Sequence, residues 1–178
     1  MTDKRKVKIN LSELSAAFEL YFPGQDAYLD LETGGVVWVT DDTRRRLEEL
    51  WEEVPDVPDR FAALDALLAQ RDDIQDWEKE AVRSALQVEA DYGSRYISVA
   101  PEPYSDYNDM ERFIWEVADE QLADKLDNAI RGRGAFRRFK DILVRHPQVE
   151  QAWHAFQARQ IEARVRDWLE SVGIEPME

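Results

Sequence analysis

The 178-residue chain carries 38 Asp and Glu against 23 Lys and Arg, a formal net charge of −15, with 44% hydrophobic residues and six Trp. That apolar share excludes a disordered chain, and the charge repels nucleic acid and anionic membranes as a whole, so any such contact has to be local. The lack of Cys removes disulfides, thiolate catalysis and Cys-ligated zinc.

Residues 1–8 form a basic arm, "MTDKRKVK", with no apolar run behind it, so no secretory signal is expected. No stretch approaches the ~20 apolar residues that span a bilayer. The expected location is the cytoplasm, without membrane contact. From Asn10, which with Glu13 fits an N-cap and capping box, a helix is predicted with Leu11, Leu14, Phe18, Tyr21 and Phe22 on one stripe. Pro23-Gly24 ends it. Residues 27–39 read as a hairpin, with Tyr28, Leu29 and Leu31 before Thr33-Gly34-Gly35 and Val36 to Val39 after.

Asp41-Asp42-Thr43 opens a helix through about Glu53, with Leu47, Leu50 and Trp51 facing inward. Asp59 caps a second short helix, and a third runs from about Asp76 to Tyr92. "RYISVAP" predicts a third strand beside the hairpin. Ser105 or Asp106 caps a helix through Met110, Phe113, Ile114 and Val117, and Asp106, Asp109 and Glu111 suit its dipole. Asp119 opens the next, with Leu122, Leu126 and Ile130. Gly132 and Gly134 interrupt it, and Ala135 to about His146 follows. Pro147 starts a long last helix stopped by Gly173. Trp115, Trp153 and Trp168 fall on apolar helical stripes and are expected in the core. The expected fold class is α+β: a small antiparallel sheet packed against a mostly helical body, as a single domain over 9–176.

Two stretches invite a functional reading. In "LDLETGG", Asp30 and Glu32 share one face of a strand, the local geometry of a two-metal nuclease or hydrolase. The companions are missing: His154 is followed by Arg159 where an acid is needed, and Tyr104 precedes Asp109 outside any such context. The plainer reading makes Asp30 and Glu32 the solvated face of a hairpin, with Leu29 and Leu31 inward. The second stretch is "RGRGAFRRFKDILVRH", residues 131–146. Arg131, Arg133, Arg137, Arg138 and Lys140 are candidate binders of an anion, an acidic partner or a nucleic-acid backbone. Gly132 or Gly134 equally serves as a helix stop. Phe136, Phe139, Ile142 and Leu143 equally serve as core, and Arg137, Asp141 and Arg145 as an ion-pair ladder. His146 and His154 have no nucleophile or ligand set around them. No metal, cofactor or catalytic residue is assigned.

"YLDLETGGVV", "YISVAP…DMERFIWEVAD", "GRGAFRRFKDIL" and "WHAFQARQIEARVRDWLESVGIEP", in that order, resemble the bacterial uncharacterised protein family 0158. The resemblance covers roughly 9–40 and 95–176, with 41–92 less typical. It implies a small bacterial cytoplasmic protein and carries over no catalytic residue. The expected function is a non-enzymatic interaction or regulatory module that binds a protein partner. The alternatives are nucleic-acid or anion binding through 131–146, and a metal-dependent hydrolase at Asp30 and Glu32. Oligomeric state is not legible.

Overall fold

A computed structural model describes residues 5–20, 22–100 and 106–177. They form eight helices and five short strands, the α+β class expected. The chain divides into two compact units, Met1–Ala100 with Trp168–Glu178, and Pro101–Asp167.

The first unit runs β1 (Arg5–Lys8), α1 (Leu11–Glu19), β2 (Gln25–Asp30), β3 (Val36–Thr40), α2 (Asp41–Glu53), α3 (Arg60–Gln70), α4 (Asp76–Ala90) and β4 (Tyr96–Val99). The chain end adds β5 (Ile174–Met177). The predicted hairpin and third strand form one antiparallel sheet ordered β3-β2-β4, with Leu29 between Val36 and Ile97. Alternation along these strands sends Tyr28, Val37, Val39 and Tyr96 to one face, where they join Leu47, Leu50, Val82 and Val88. Ala27, Leu29 and Leu31 are buried on the other face.

Caps follow the sequence signals. Asn10 Oδ1 accepts from the Glu13 amide, and Asp59 Oδ1 from the Ala62 amide. For α2 the cap is Thr40, one residue earlier than expected, accepting from the Thr43 amide. Glu13 does not return to the Asn10 amide as a capping box requires. Its carboxylate instead accepts from Asn10 Nδ2 and, 23 residues on, from the Val36 amide, tying α1 to β3. Helix α1 stops at Glu19, so Phe22 leaves the expected stripe and is exposed, as is Leu11. Tyr21 lies outside the described residues.

One pairing was not expected. Residues 5–8 of the basic arm form strand β1, parallel to β5, with Arg5 opposite Ile174. Only Val7 and Ile174 of the two strands are buried, so the pair rests on backbone bonds and one apolar contact layer.

The second unit holds α5 (Asp106–Glu116), α6 (Glu120–Ile130), α7 (Ala135–Leu143) and most of α8 (Pro147–Ser171). Asp119 caps α6 by accepting from the Leu122 amide. The core is aromatic: Phe113 lies 5.1 Å from Trp153 edge-on, Phe139 lies 4.9 Å from it, and Phe156 stacks on it at 5.8 Å. Such offset and edge geometries add to the area term of burial. Trp115 departs from expectation and is 90% exposed. Met110, Phe113 and Ile114 occupy the inner stripe of α5, and Trp115 falls a third of a turn past it. The apolar stripe expected to include Trp115 ends at Ile114. Ser105 and Tyr104 lie outside the described residues.

Candidate functional site

The hairpin acids are built into a clamp. Asp30 is 3% exposed, which corrects the expectation of a solvated acid. Strand β2 is central in its sheet, and its last residues, Leu29 on one face and Asp30 on the other, are both buried, so this end of the strand has no solvated face. A buried carboxylate has to be partnered. Arg95, just before β4, donates from Nε and Nη2 to the two Asp30 oxygens at 2.9 and 2.8 Å, a fork-on-fork pair. The Glu32 amide and Thr33 Oγ1 donate to the same oxygens at 2.9 and 3.0 Å. Nη1 of Arg95 reaches the exposed Glu32 at 2.8 Å.

The electrostatics follow that geometry. The Arg95 hydrogen bonds, opposed by burial, hold the Asp30 carboxyl at about 2, below its ordinary 3.8. Arg95 is pushed up by the same bond, and Tyr96 is pushed up by burial and then by the Asp30 charge. The place beside the two acids that a cation would take is filled by the guanidinium. Among the described residues no group of three or more His, Asp or Glu could hold a metal. Sequence reasoning missed Arg95, because only the β2–β4 register brings residue 95 to residue 30.

Gly34 explains the glycine of the motif. It sits at φ +74, and a Cβ there would lie 1.7 Å from the Lys8 carbonyl oxygen. Its own carbonyl accepts from the Asn10 amide at 2.8 Å. The turn is thus packed against the segment joining β1 to α1, which only glycine permits.

In the 131–146 elbow the five candidate cations separate. Arg138 is structural: it donates to the carbonyls of Ala129 at 2.9 Å, Arg131 at 2.6 Å and Arg133. Those oxygens belong to the end of α6 and the turn after it, where helical carbonyls lack intrahelical partners. Arg131 pairs with Asp127. The Lys140 ammonium lies 4.4 Å from the centroid of the Phe136 ring. Arg133 and Arg137 have no partner among the described residues and are exposed. The expected Arg137–Asp141–Arg145 ladder does not form among the described residues: α7 ends at Leu143 and leaves Arg145 off the helix, and Arg137 and Asp141, one turn apart within it, are not ion-paired. Phe139 and Leu143 are buried as expected, whereas Phe136 is exposed and Val144, just past α7, is 65% exposed.

Arg145 and His146 line an open groove of about 570 Å³ within the second unit. Phe113, Leu122 and Val149 line it too, as do Glu116 and Asp119. Glu116 is held by Arg159 at 2.9 Å, while neither Arg145 nor His146 has a side-chain partner among the described residues. His154 is exposed. Asp109 lies in the first turn of α5, as expected, but is buried, with both oxygens 2.7 Å from Arg164 Nη2.

The two units differ in charge. Residues 101–167 hold 13 acids and 11 basic residues, net −2, leaving 25 and 12, net −13, for the rest of the chain. In the first unit Arg44, Arg45, Arg46, Arg71, Arg83 and Arg95 are all ion-paired. Arg5 and Arg60 donate to carbonyls of Ser94 and Trp51. The arginines without a partner among the described residues, Arg112, Arg133, Arg137 and Arg145, all belong to the second unit.

The profile of the uncharacterised protein family UPF0158 matches residues 71–178, which takes in α4, β4 and the whole second unit. The match starts inside the middle third and does not include the hairpin. The UPF0158 protein PA5073 of Pseudomonas aeruginosa is 29% identical over 172 residues, covering 97% of this chain and 88% of that protein. No solved structure matches. With more than half of its length under the family profile, including both the elbow and the terminal helix, the chain belongs to the UPF0158 family.

Proposed function

We propose that the chain is a non-enzymatic interaction module of the bacterial cytoplasm, which binds an acidic segment of a protein partner through its elbow. The observation that carries this reading is the distribution of unpaired arginine. An acidic chain offers its cations many internal carboxylates, and in the first unit six of the eight described arginines pair with them while Arg5 and Arg60 donate to backbone carbonyls. Among the described residues Arg133, Arg137 and Arg145 have no partner, and they lie in the same elbow as exposed Phe136 and Val144. Arginine and aromatic anchors with little internal engagement are what interfaces concentrate. No helix among the described residues is long and apolar enough to cross a membrane, which agrees with a partner met in solution.

A second reading, a nucleic-acid contact, is favoured by the exposed Phe136 ring next to free Arg133 and Arg137. Against it stand the covering of that ring by Lys140 and the unit's net negative charge. The test is quantitative affinity enrichment from bacterial lysate, treated or not with nuclease, comparing wild type with Arg133→Glu/Arg137→Glu. Arg138 is left intact because it holds the fold. A protein enriched by wild type, kept after nuclease and lost about tenfold or more by the variant supports the proposal. Identical enrichment by both chains removes the elbow from binding. Enrichment that nuclease abolishes selects the second reading.

A further inference from the structure

Helix α5 presents a stripe that neither the fold nor the proposed partner reading uses. Asn108, Glu111, Arg112 and Trp115 stand at i, i+3, i+4 and i+7, on one face of the helix, around a shallow depression of about 380 Å³. All four are exposed, Trp115 at 90%. Arg112 has no partner among the described residues, although Glu116 lies one turn further along the helix and is instead bound to Arg159. An indole left in water and an arginine left unpaired on one stripe are the two residue types that most often anchor interfaces.

The order of the stripe selects the occupant. When two copies of α5 pack antiparallel about a two-fold axis passing between positions 111 and 112, Glu111 of each copy meets Arg112 of the other. Asn108 of each copy then meets Trp115 of the other. The stripe carries one acid and one base, so it is neutral and complementary to itself, the requirement of an isologous interface. The surrounding unit adds a net charge of only −2, against −13 in the rest of the chain, so the contact is made where self-repulsion is smallest. We propose that the chain forms a two-fold homodimer through α5, with Trp115 as its anchor and reciprocal Glu111–Arg112 pairs fixing its register. This site is separate from the elbow and stands whether or not the elbow binds a partner.

Sedimentation equilibrium on the full chain, up to about 200 µM, tests it with a charge swap. Wild type is expected to dimerise, and Trp115→Ala to raise the dissociation constant about tenfold or more. Glu111→Arg alone places like charges opposite one another twice, as does Arg112→Glu alone, and each is expected to weaken the dimer about tenfold. The double variant Glu111→Arg/Arg112→Glu restores opposite charges and is expected to return to within about threefold of wild type. These side chains are exposed, and far-ultraviolet circular dichroism verifies that every variant keeps its helix content. A wild-type chain that stays monomeric throughout overturns the proposal. So does a dimer indifferent to Trp115→Ala, or one that the double swap does not rescue.

Discussion

At the scale of the residue, Asp30 shows how an acid that resembles a ligand becomes part of the core. Its oxygens are shared among Arg95, Thr33 Oγ1 and the Glu32 amide, so the ionised form is stabilised in the folded chain. Removing Arg95 leaves a buried carboxylate with only its turn partners. Because Arg95 is itself 28% exposed, the full penalty for breaking a buried pair does not apply. Arg95→Ala is expected to lower stability at neutral pH by roughly 2–3 kcal/mol in chemical denaturation. The pH dependence has a defined sign. A carboxyl lowered from 3.8 to about 2 stabilises the fold above its unfolded value and loses that contribution as pH falls through its folded one. The window is therefore pH 4 to 2, with about 2 kcal/mol at stake. Wild type should lose more stability across this window than Arg95→Ala does. Parallel pH profiles for the two chains would show that the clamp is not what depresses Asp30.

At the scale of the element, Arg138 holds the turn between α6 and α7. A single guanidinium satisfies carbonyls of Ala129, Arg131 and Arg133, while Gly134 turns the chain at φ +75 without a side-chain cap. Arg138→Ala is expected to cost about 2 kcal/mol, since three carbonyls lose a charged donor. Arg137→Ala, one residue away and unpaired, should stay within about 0.5 kcal/mol of wild type. Equal effects in urea titration would contradict the division of labour. The sequence shows both arginines alike, because the role of each depends on which carbonyls the turn brings near. Most helices were legible, since Asn10, Asp59 and Asp119 occupy cap positions with apolar periodicity behind them. The hairpin and its third strand were legible from β-rich runs and turn glycines. Strands β1 and β5 were not, because four-residue segments such as "RKVK" and "IEPM" carry one buried side chain each and no period long enough to detect. Trp115 and Asp30 were misplaced for a shared reason. In each, the face a side chain takes depends on the packing around its element: Trp115 falls one residue past the buried stripe of α5, and Asp30 sits at the end of β2 where both faces are covered.

At the scale of the whole molecule, charge is distributed unevenly, and this has a mechanical consequence. The first unit keeps −13 after all of its described arginines are engaged, so its remaining carboxylates repel one another over distances longer than a contact. Its ion pairs operate at 2.6–3.4 Å, where salt screens less than it does across the unit. Raising NaCl from about 20 mM to about 300 mM shortens the screening length from roughly 20 Å to roughly 6 Å. The long-range repulsion should then fall more than the contact attractions do. The second unit, at −2, has little repulsion to lose. Segment-resolved hydrogen exchange should accordingly show the amides of α2 and α4 slowing with added salt, and those of α6 and α7 changing little. Equal slowing in both units would mean that salt acts through general hydrophobic strengthening. Faster exchange in α2 and α4 would mean that the paired arginines, rather than the surplus acid, dominate the electrostatics of the first unit.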